Sequence, residues 1–226
     1  MAHSVATQEG SSHWLCTSVL SSVYGSVESA SVRALIRRLI MRLERGFIYT
    51  RTVRDLYRRF HGLNVGLYTI GPCESGPENF DPGTSIGRYC SIYYTVRIFT
   101  RPLPTDSLIP AEILDACNHR GASEKLSAVP KVLIGNDVFI GHNSIVLPSA
   151  LSIGDGAIIG AGSVVQQPIP PYAVVTGNPA RVVRYRFSET KIAELMASKW
   201  WDRTIMDLAG EISEFQRPLE GDGPIR

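Results

Sequence analysis

Three arginines near the end of the chain could bind phosphate. Arg181, Arg184 and Arg186 stand within six residues of one another, directly after the sequence Gly-Asn-Pro-Ala. Guanidinium groups bind phosphate oxygens through paired hydrogen bonds, so such a cluster beside a tight turn forms a sensible phosphate site. The same spacing also fits a basic strand whose side chains simply face water. Both interpretations stay open on the residues alone.

Two histidines lie in or beside the repetitive part of the chain and could move a proton. A neutral imidazole can take up a proton near pH 7. His142 follows a glycine at a predicted corner of the repeats, and His119 lies within Asn-His-Arg in an irregular segment. Each also has a simpler interpretation, as a surface residue of a corner or of a loop. His3, His13 and His61 lie outside the repeats, and we expect them to be incidental.

The elements that must position these groups follow a period of six. Aliphatic residues recur at Ile134, Ile140, Val146, Ile153, Ile159 and Val165, and earlier at Phe80, Ile86, Ile92 and Ile98. A glycine usually comes next, and a small or β-branched residue stands four places later. A period of six fits neither a helix nor plain strand alternation. It predicts a chain that turns a corner every six residues, which is typical of a parallel β-helix.

Helices are predicted on both sides of the repeats. Ser31 could cap a first helix, whose apolar stripe at helical spacing consists of Val32, Leu35, Ile36, Leu39, Ile40 and Leu43. A second helix is predicted from Thr52 to Phe60. Nine arginines between residues 33 and 59 indicate a solvated face on helices that pack against the end of the repeats; contact with a membrane surface is the less favoured alternative. After residue 188 the chain turns helical again. There, Trp200 and Trp201 are expected to anchor the tail rather than to line an acceptor site.

We therefore predict a mainly β fold with three parts. An N-terminal segment with capping helices occupies residues 1–64, a β-helix occupies residues 65–186, and C-terminal helices with a tail occupy residues 187–226. A long excursion over residues 99–133 interrupts the β-helix, and Cys90 is expected to line its core.

The composition excludes several functional classes. A net charge of +2 argues against nucleic acid as a partner, and four cysteines without a CxxC motif favour a reducing cytoplasm and no zinc framework. The absence of an apolar run of about 18 residues predicts no membrane span. A signal peptide is not expected either, because a charged start followed by an apolar stretch is missing.

Several segments resemble the hexapeptide-repeat acyltransferases, and most closely the xenobiotic acetyltransferases and polysaccharide O-acetyltransferases. They are Ile-Gly-Arg-Tyr-Cys-Ser-Ile over residues 86–92, Ile-Gly-Asn-Asp-Val-Phe-Ile-Gly-His over 134–142, the repeat over 153–165, Pro-Pro-Tyr over 170–172 and Gly-Asn-Pro-Ala-Arg-Val-Val-Arg over 177–184. The resemblance implies a left-handed β-helix and a homotrimer with active sites between subunits. It also implies acetyl-coenzyme A as the donor and no metal.

The resemblance also assigns roles to individual residues. The main chain of Gly160 and Ala161 would bond the pantetheine arm. Packing against that arm is assigned to Asn178, Pro179 and Ala180, and phosphate binding to Arg181, Arg184 and Arg186. Acetyl transfer to a hydroxyl or amine of a sugar, a polysaccharide precursor or an antibiotic-like acceptor would use His119 or His142 as the base. No nucleophilic side chain is required, since the thioester is already activated.

Two departures from the family pattern keep alternatives open. Gln166, Gln167 and Pro168 replace the usual Thr-Lys-Asp, which removes a lysine near the nucleotide. The family histidine is expected near Leu103, where none is found. Either His119 serves after an insertion or the base is lost, and the chain is then a non-catalytic trimeric binding protein. A γ-type carbonic anhydrase is a weaker rival, because it needs three zinc-binding histidines.

Overall fold

The structure is a computed structural model that describes residues 14–101 and 131–211. Helices run over Trp14–Ser26 (α1), Ala30–Leu43 (α2), Thr52–His61 (α3), Pro72–Ser75 (α4), Glu189–Ser198 (α5) and Ile205–Ala209 (α6). Strands run over Asn64–Val65 (β1), Thr84–Ile86 (β2), Ser91–Ile92 (β3), Arg97–Ile98 (β4), Val132–Ile134 (β5), Phe139–Ile140 (β6), Ile145–Val146 (β7), Ser152–Ile153 (β8), Ile158–Ile159 (β9), Val164–Val165 (β10), Ala173–Thr176 (β11) and Arg181–Tyr185 (β12).

The strands form three largely parallel sheets, and each of the three turns from β2 to β10 contributes one strand to each sheet. The first sheet has the order β1-β2-β5-β8, the second β3-β6-β9-β11-β12 and the third β4-β7-β10. Only β12 runs antiparallel to its neighbour. The parallel pairing of strands from successive coils agrees with the stacking that the repeats predict.

The period of six sets the register between coils. Ile86 pairs with Ile134, which pairs with Ile153, so the aliphatic residues of successive coils stack directly on one another. The seven-residue step between Val146 and Ile153 accommodates a short 3₁₀ turn over Pro148–Ala150 and leaves this register unchanged. The predicted phase of the repeats is therefore confirmed.

The inside of the coils is filled by the aliphatic residues and the small residues between them. Ile140, Ile159 and Val165 are fully buried, and Cys90 is 1% exposed. Burial raises the pKa of the Cys90 thiol to about 12, so at neutral pH this side chain stays a protonated core residue. Its predicted place in the core is confirmed.

The buried face of helix α2 differs from the predicted one. Ile36 and Ile40 are buried, but Leu35 is 65% exposed, and Val32, Leu39 and Leu43 are exposed as well. The predicted stripe is therefore split, because the helix packs on a narrower face than its apolar residues cover. The helix also starts one residue before Ser31, with Ser29 at its N-cap.

Helix α3 closes the N-terminal end of the coils. Its C-cap is Gly62 in a left-handed conformation, and the chain then enters β1. Arg54 is buried and donates to the carbonyls of Gly66 and Thr69 at the first turn of the β-helix, at 3.0 and 3.2 Å. The prediction that the arginines form a solvated face is thus wrong for Arg54, and also for Arg37, which is 6% exposed.

The C-terminal helices are held on a corner of the β-helix. The Arg88 guanidinium donates to the carbonyls of Asp202 and Arg203 at 3.0 Å each, and the ring of Tyr89 lies 5.2 Å from that of Trp200. Trp201 is 5% exposed. The tryptophan pair therefore anchors the tail. Along the described ranges, no helix combines the length and apolar character needed to cross a membrane.

Candidate functional site

Three consecutive coils meet at the corner between the second and third sheets. We call this the His142 corner; it consists of residues 93–95, 141–143 and 160–162. Tyr93 donates its N–H to the Ile140 carbonyl at 3.1 Å, and Gly162 donates to the carbonyl of His142 at 2.8 Å. The corner thus places His142 directly beside the Gly-Ala-Gly turn that sequence analysis assigned to the cofactor.

Glycine is required where these coils touch. A Cβ atom at Gly141 would lie 2.7 Å from the backbone nitrogen of Ala161, closer than real Cβ contacts allow. The two turns are therefore in direct main-chain contact. This contact fixes the position of the His142 backbone relative to the next coil.

The His142 ring is packed on one side and hydrogen-bonded on another. Its Nδ1 lies 3.1 Å from the Thr95 hydroxyl, which also accepts a bond of 2.8 Å from the backbone N–H of Asn143. The Tyr93 ring lies 3.8 Å from the imidazole centre at an interplanar angle of 34°, and Tyr94 meets it edge-on at 5.3 Å. The ring is half-buried.

The residues of the Gly-Ala-Gly turn differ in whether their main-chain N–H and carbonyl groups are available to a ligand. Gly160 donates its N–H to Val175, and its carbonyl accepts from the hydroxyls of Ser144 and Ser163. Ala161 is exposed, and within residues 14–101 and 131–211 its N–H and carbonyl make no hydrogen bond. Both main-chain groups of Ala161 are therefore open to a ligand.

The segment after the last coil returns to this turn. Val164 donates to the carbonyl of Gly177 at 3.0 Å, and Ala180 donates to the carbonyl of Val164 at 2.9 Å. Asn178 and Pro179 are exposed and joined by a cis peptide bond, whereas Ala180 is 8% exposed. The predicted pantetheine residues are thus brought together along one edge.

The three arginines fall into two groups. The Arg181 guanidinium donates only to the carbonyl of Ala180, and that of Arg184 only to the carbonyl of Tyr185; neither meets a carboxylate in the described part of the chain. Arg186 instead donates to Asp137 Oδ2 and to the Gly156 carbonyl, both at 2.7 Å. Two arginines are open to a phosphate, while the third already holds a carboxylate.

The carboxylate that Arg186 holds is itself perturbed. Burial raises the pKa of Asp137, although the neighbouring guanidinium acts in the opposite direction. Arg186 also lies over the rings of Tyr172 and Phe187, at 5.3 and 5.2 Å from their centroids. This environment is that of an internal clamp between the strand β12 and the coils.

His61, the other histidine in residues 14–101 and 131–211, does not join the His142 corner. His119 lies outside the described residues, as does the position near Leu103. His61 lies among the N-terminal helices, where the hydroxyl of Tyr24 is 2.8 Å from its Nε2, and burial lowers the pKa of its ring. In the described ranges, no three side chains of His, Cys, Asp or Glu are grouped to hold a metal ion.

Sequence reasoning missed Tyr93, Tyr94 and Thr95, although a signal was available. When the coils are superimposed on their period of six, residue 93 takes the place of Gly141 and Gly160. Aromatic and hydroxyl side chains at a corner where the other coils have glycine indicate that this corner contributes to a functional site.

Comparison with known proteins now bears on this site. A family profile described as "Hexapeptide repeat of succinyl-transferase" matches residues 131–167. The probable macrolide acetyltransferase of Lysinibacillus sphaericus is 34% identical over 124 residues, which cover 52% of this chain and 68% of that protein. The chain belongs to the hexapeptide-repeat acyltransferases.

Other acetyltransferases match this chain as well. The chloramphenicol acetyltransferase of Agrobacterium fabrum is 48% identical over 69 residues, or 30% of this chain and 32% of that protein. The match to such relatives thus spans about a third of their length. Among solved structures, a maltose O-acetyltransferase from Clostridium difficile 630 is 22% identical, with 75% of this chain and 83% of that chain covered and a TM-score of 0.41.

Proposed function

We propose that this protein is an acetyl-coenzyme A-dependent acetyltransferase that modifies a hydroxyl or amine by direct transfer. The observation that carries the proposal is the contact between His142 and the turn over residues 160–162, made by the bond of 2.8 Å from Gly162 to the His142 carbonyl. A group that can exchange a proton thus lies beside exposed main chain that can bind an extended arm. The names of the relatives, chloramphenicol and macrolide acetyltransferases, favour an antibiotic-like acceptor; a sugar or polysaccharide precursor is the other class.

The cofactor would lie along the edge formed by the last coils. Ala161 offers to the amide groups of pantetheine an N–H and a carbonyl that make no hydrogen bond to the described residues, and Asn178, Pro179 and Ala180 provide the wall beside it. Arg181 and Arg184 are open to the phosphates. Arg186, the third predicted phosphate ligand, remains a candidate only if it releases Asp137.

Transfer requires the acceptor to lose a proton as its oxygen or nitrogen attacks the thioester carbon. The carbon–sulfur bond then breaks, and coenzyme A leaves as a thiol after its sulfur receives a proton. His119 and His142 are the candidates for this proton chemistry. A covalent enzyme intermediate is unnecessary, because the thioester is already reactive.

We further propose that the coils wind left-handed and that three chains assemble. Exposed aliphatic side chains on the outside of the coils, such as Leu133 and Leu151 at 51% and 52%, favour an assembly that covers them. A single species of three chains in sedimentation at micromolar concentration supports this proposal, and a stable monomer contradicts it. The three-part division at residues 64 and 186 and a cytoplasmic location are retained as proposals.

Arg184→Ala tests the cofactor site. We expect this variant to lose more affinity for coenzyme A than for dephospho-coenzyme A in calorimetric titration, because a guanidinium that meets the 3′-phosphate matters only when that group is present. Arg97→Ala, which removes an equal charge from an exposed position of the strand β4, is the matched control. Equal losses for both ligands would mean that Arg184 does not meet the 3′-phosphate.

The alternative function is a trimeric binding protein without catalysis. The absence of the family histidine near Leu103 favours it. Wild-type protein that binds coenzyme A but transfers no acetyl group to a panel of sugars, amino sugars, chloramphenicol and macrolides would support this alternative.

A further inference from the structure

We propose that Thr95 holds His142 in the tautomer that carries its proton on Nε2, so that the ring donates a hydrogen bond to the thioester oxygen during transfer. The inference rests on the proposed function and refines it. His142 then stabilises developing negative charge, and the base that accepts the proton of the acceptor is another group. Thr95 acts as a positioning residue.

The hydrogen bonds around the Thr95 hydroxyl carry the first step. A hydroxyl has one hydrogen to donate and two lone pairs that accept. The backbone N–H of Asn143 can only donate, so at 2.8 Å it occupies one lone pair. The Thr95 hydrogen has one acceptor in the described residues, the Nδ1 of His142 at 3.1 Å.

The two tautomers of His142 differ in how they satisfy this group. With the proton on Nε2, Nδ1 accepts from Thr95 and every group in the chain from Asn143 to the ring has a partner. With the proton on Nδ1, two donors point at one oxygen and the hydroxyl hydrogen is left to solvent. Both tautomers make two hydrogen bonds in this group, but only the Nε2–H tautomer gives the Thr95 hydroxyl hydrogen a partner among the described residues, and this favours the Nε2–H tautomer.

Aromatic packing keeps the ring in place. Tyr93 covers one face of the imidazole at 3.8 Å, and the Tyr93 ring is itself met by Phe139 in a T-shaped contact at 5.7 Å. Nδ1 is bound to Thr95, whereas Nε2, on the other side of Cε1, points away from Thr95 and makes no hydrogen bond to the described residues. A fixed N–H donor of this kind suits an oxyanion site.

Acetyl transfer can proceed with His142 as a hydrogen-bond donor to the thioester oxygen. The acceptor oxygen or nitrogen forms a bond to the carbonyl carbon, and the electron pair of the C=O bond moves to oxygen, where the Nε2–H donates a hydrogen bond. The C=O bond then re-forms while the carbon–sulfur bond breaks. The proton of the acceptor passes through a separate base to the leaving sulfur; for that base, His119 is the remaining histidine candidate.

Side-chain nitrogen NMR of the full chain labelled with ¹⁵N-histidine tests the tautomer. The signals missing in His142→Ala identify the ring. We expect a non-protonated Nδ1 and a protonated Nε2 in the wild type, and a loss of this preference in Thr95→Val. Thr95→Ser, which keeps the hydroxyl, should restore it. A wild-type ring protonated on Nδ1, or a serine variant that behaves like the valine variant, overturns the role of Thr95.

Substitution of His142 by glutamine tests the donor role separately. A glutamine amide can donate a hydrogen bond but cannot act as a base. We expect His142→Gln to retain acetyl transfer within about tenfold of the wild type, and His142→Ala to lose about 10²–10³-fold, with affinity for coenzyme A unchanged in both. Equal losses in the two variants overturn the donor role and favour His142 as the base. Wild-type protein that shows the Nε2–H tautomer but no transfer overturns the donor role together with the proposed function, while the assignment of the tautomer stands.

Discussion

Replacing Arg186 by Ala removes the guanidinium that joins strand β12 to the coils. The side chain donates to Asp137 Oδ2 and to the carbonyl of Gly156, both at 2.7 Å, and it lies over the rings of Tyr172 and Phe187. The substitution therefore leaves a half-buried carboxylate without its counter-charge. We expect the variant to be clearly less stable.

The burial of the pair sets the size of the effect. The side chains of Arg186 and Asp137 are 23% and 25% exposed. Exposed ion pairs contribute about 0.2–1 kcal/mol, and breaking a fully buried pair costs about 3–5 kcal/mol, so this pair falls between at about 2–3 kcal/mol. Loss of the ring contacts adds roughly 0.5 kcal/mol. A total near 3 kcal/mol corresponds to a fall in melting temperature of about 6–12 °C for a chain of this size.

The loss should depend on pH in a definite direction. Burial raises the pKa of Asp137 above its ordinary value of 3.8, and Arg186 opposes that shift. Removing Arg186 raises this pKa further. Because the folded state then binds a proton more tightly than the unfolded state, the stability of the variant falls as pH rises through the folded pKa. The difference from the wild type is therefore largest at neutral pH and shrinks as the pH is lowered through that value.

Urea unfolding at pH 7 and at about pH 4.5, at one protein concentration, measures both effects. Arg184→Ala is the matched control, since among the described residues its guanidinium bonds only the neighbouring carbonyl of Tyr185. The loss of stability in this control should stay within about 0.5 kcal/mol. Equal stability of the two variants, or a loss independent of pH, would refute the clamp. Unchanged stability with weakened binding of coenzyme A would return Arg186 to the phosphate site.

Two further predictions follow from close packing. Gly71→Ala should prevent folding to soluble protein, because φ is +112° and a Cβ atom would lie 1.8 Å from the Ile92 carbonyl oxygen. Gly162 has φ at +69° and open space around it, so Gly162→Ala should lower the free energy of unfolding in urea by only about 1–2 kcal/mol. Similar outcomes for the two variants would contradict the coil stacking. In helix α2, Ile40→Ala should lower the free energy of unfolding by about 2–5 kcal/mol, because Ile40 is fully buried. Replacing the half-exposed Leu39 by Ala should lower it by about 0.5 kcal/mol or less. If the full chain binds anionic vesicles and only Leu39→Ala weakens that binding, the membrane alternative is favoured.

The coils could be predicted because their pattern repeats. Aliphatic residues recur every six or seven positions, and each pairs with the equivalent residue one full turn later, as Ile134 does with Ile153 and Ile140 with Ile159. One local rule therefore describes the whole register. The insertion between Val146 and Ile153 is also readable, since it shifts the pattern by one residue and no more. Local spacing thus carries most of the information for this part of the fold.

The buried faces of the helices and the partners of individual side chains could not be predicted in the same way. Thr95 and His142 are 47 residues apart along the chain, and the excursion lies between them, so no local rule relates them. Similarly, Arg184 and Arg186 look equivalent in sequence, but only Arg186 meets a carboxylate from another coil. Long-range contacts decide these roles.

Hydrogen–deuterium exchange with and without coenzyme A tests the central claim most directly. If the cofactor lies along the edge that joins Ala161 to the segment after the last coil, then peptides covering residues 160–163 and 177–184 should gain protection, together with those that contain His142. The helices α1 and α2 should exchange as before. Protection confined to those helices, or the absence of any change at saturating coenzyme A, would contradict the site and with it the proposed function.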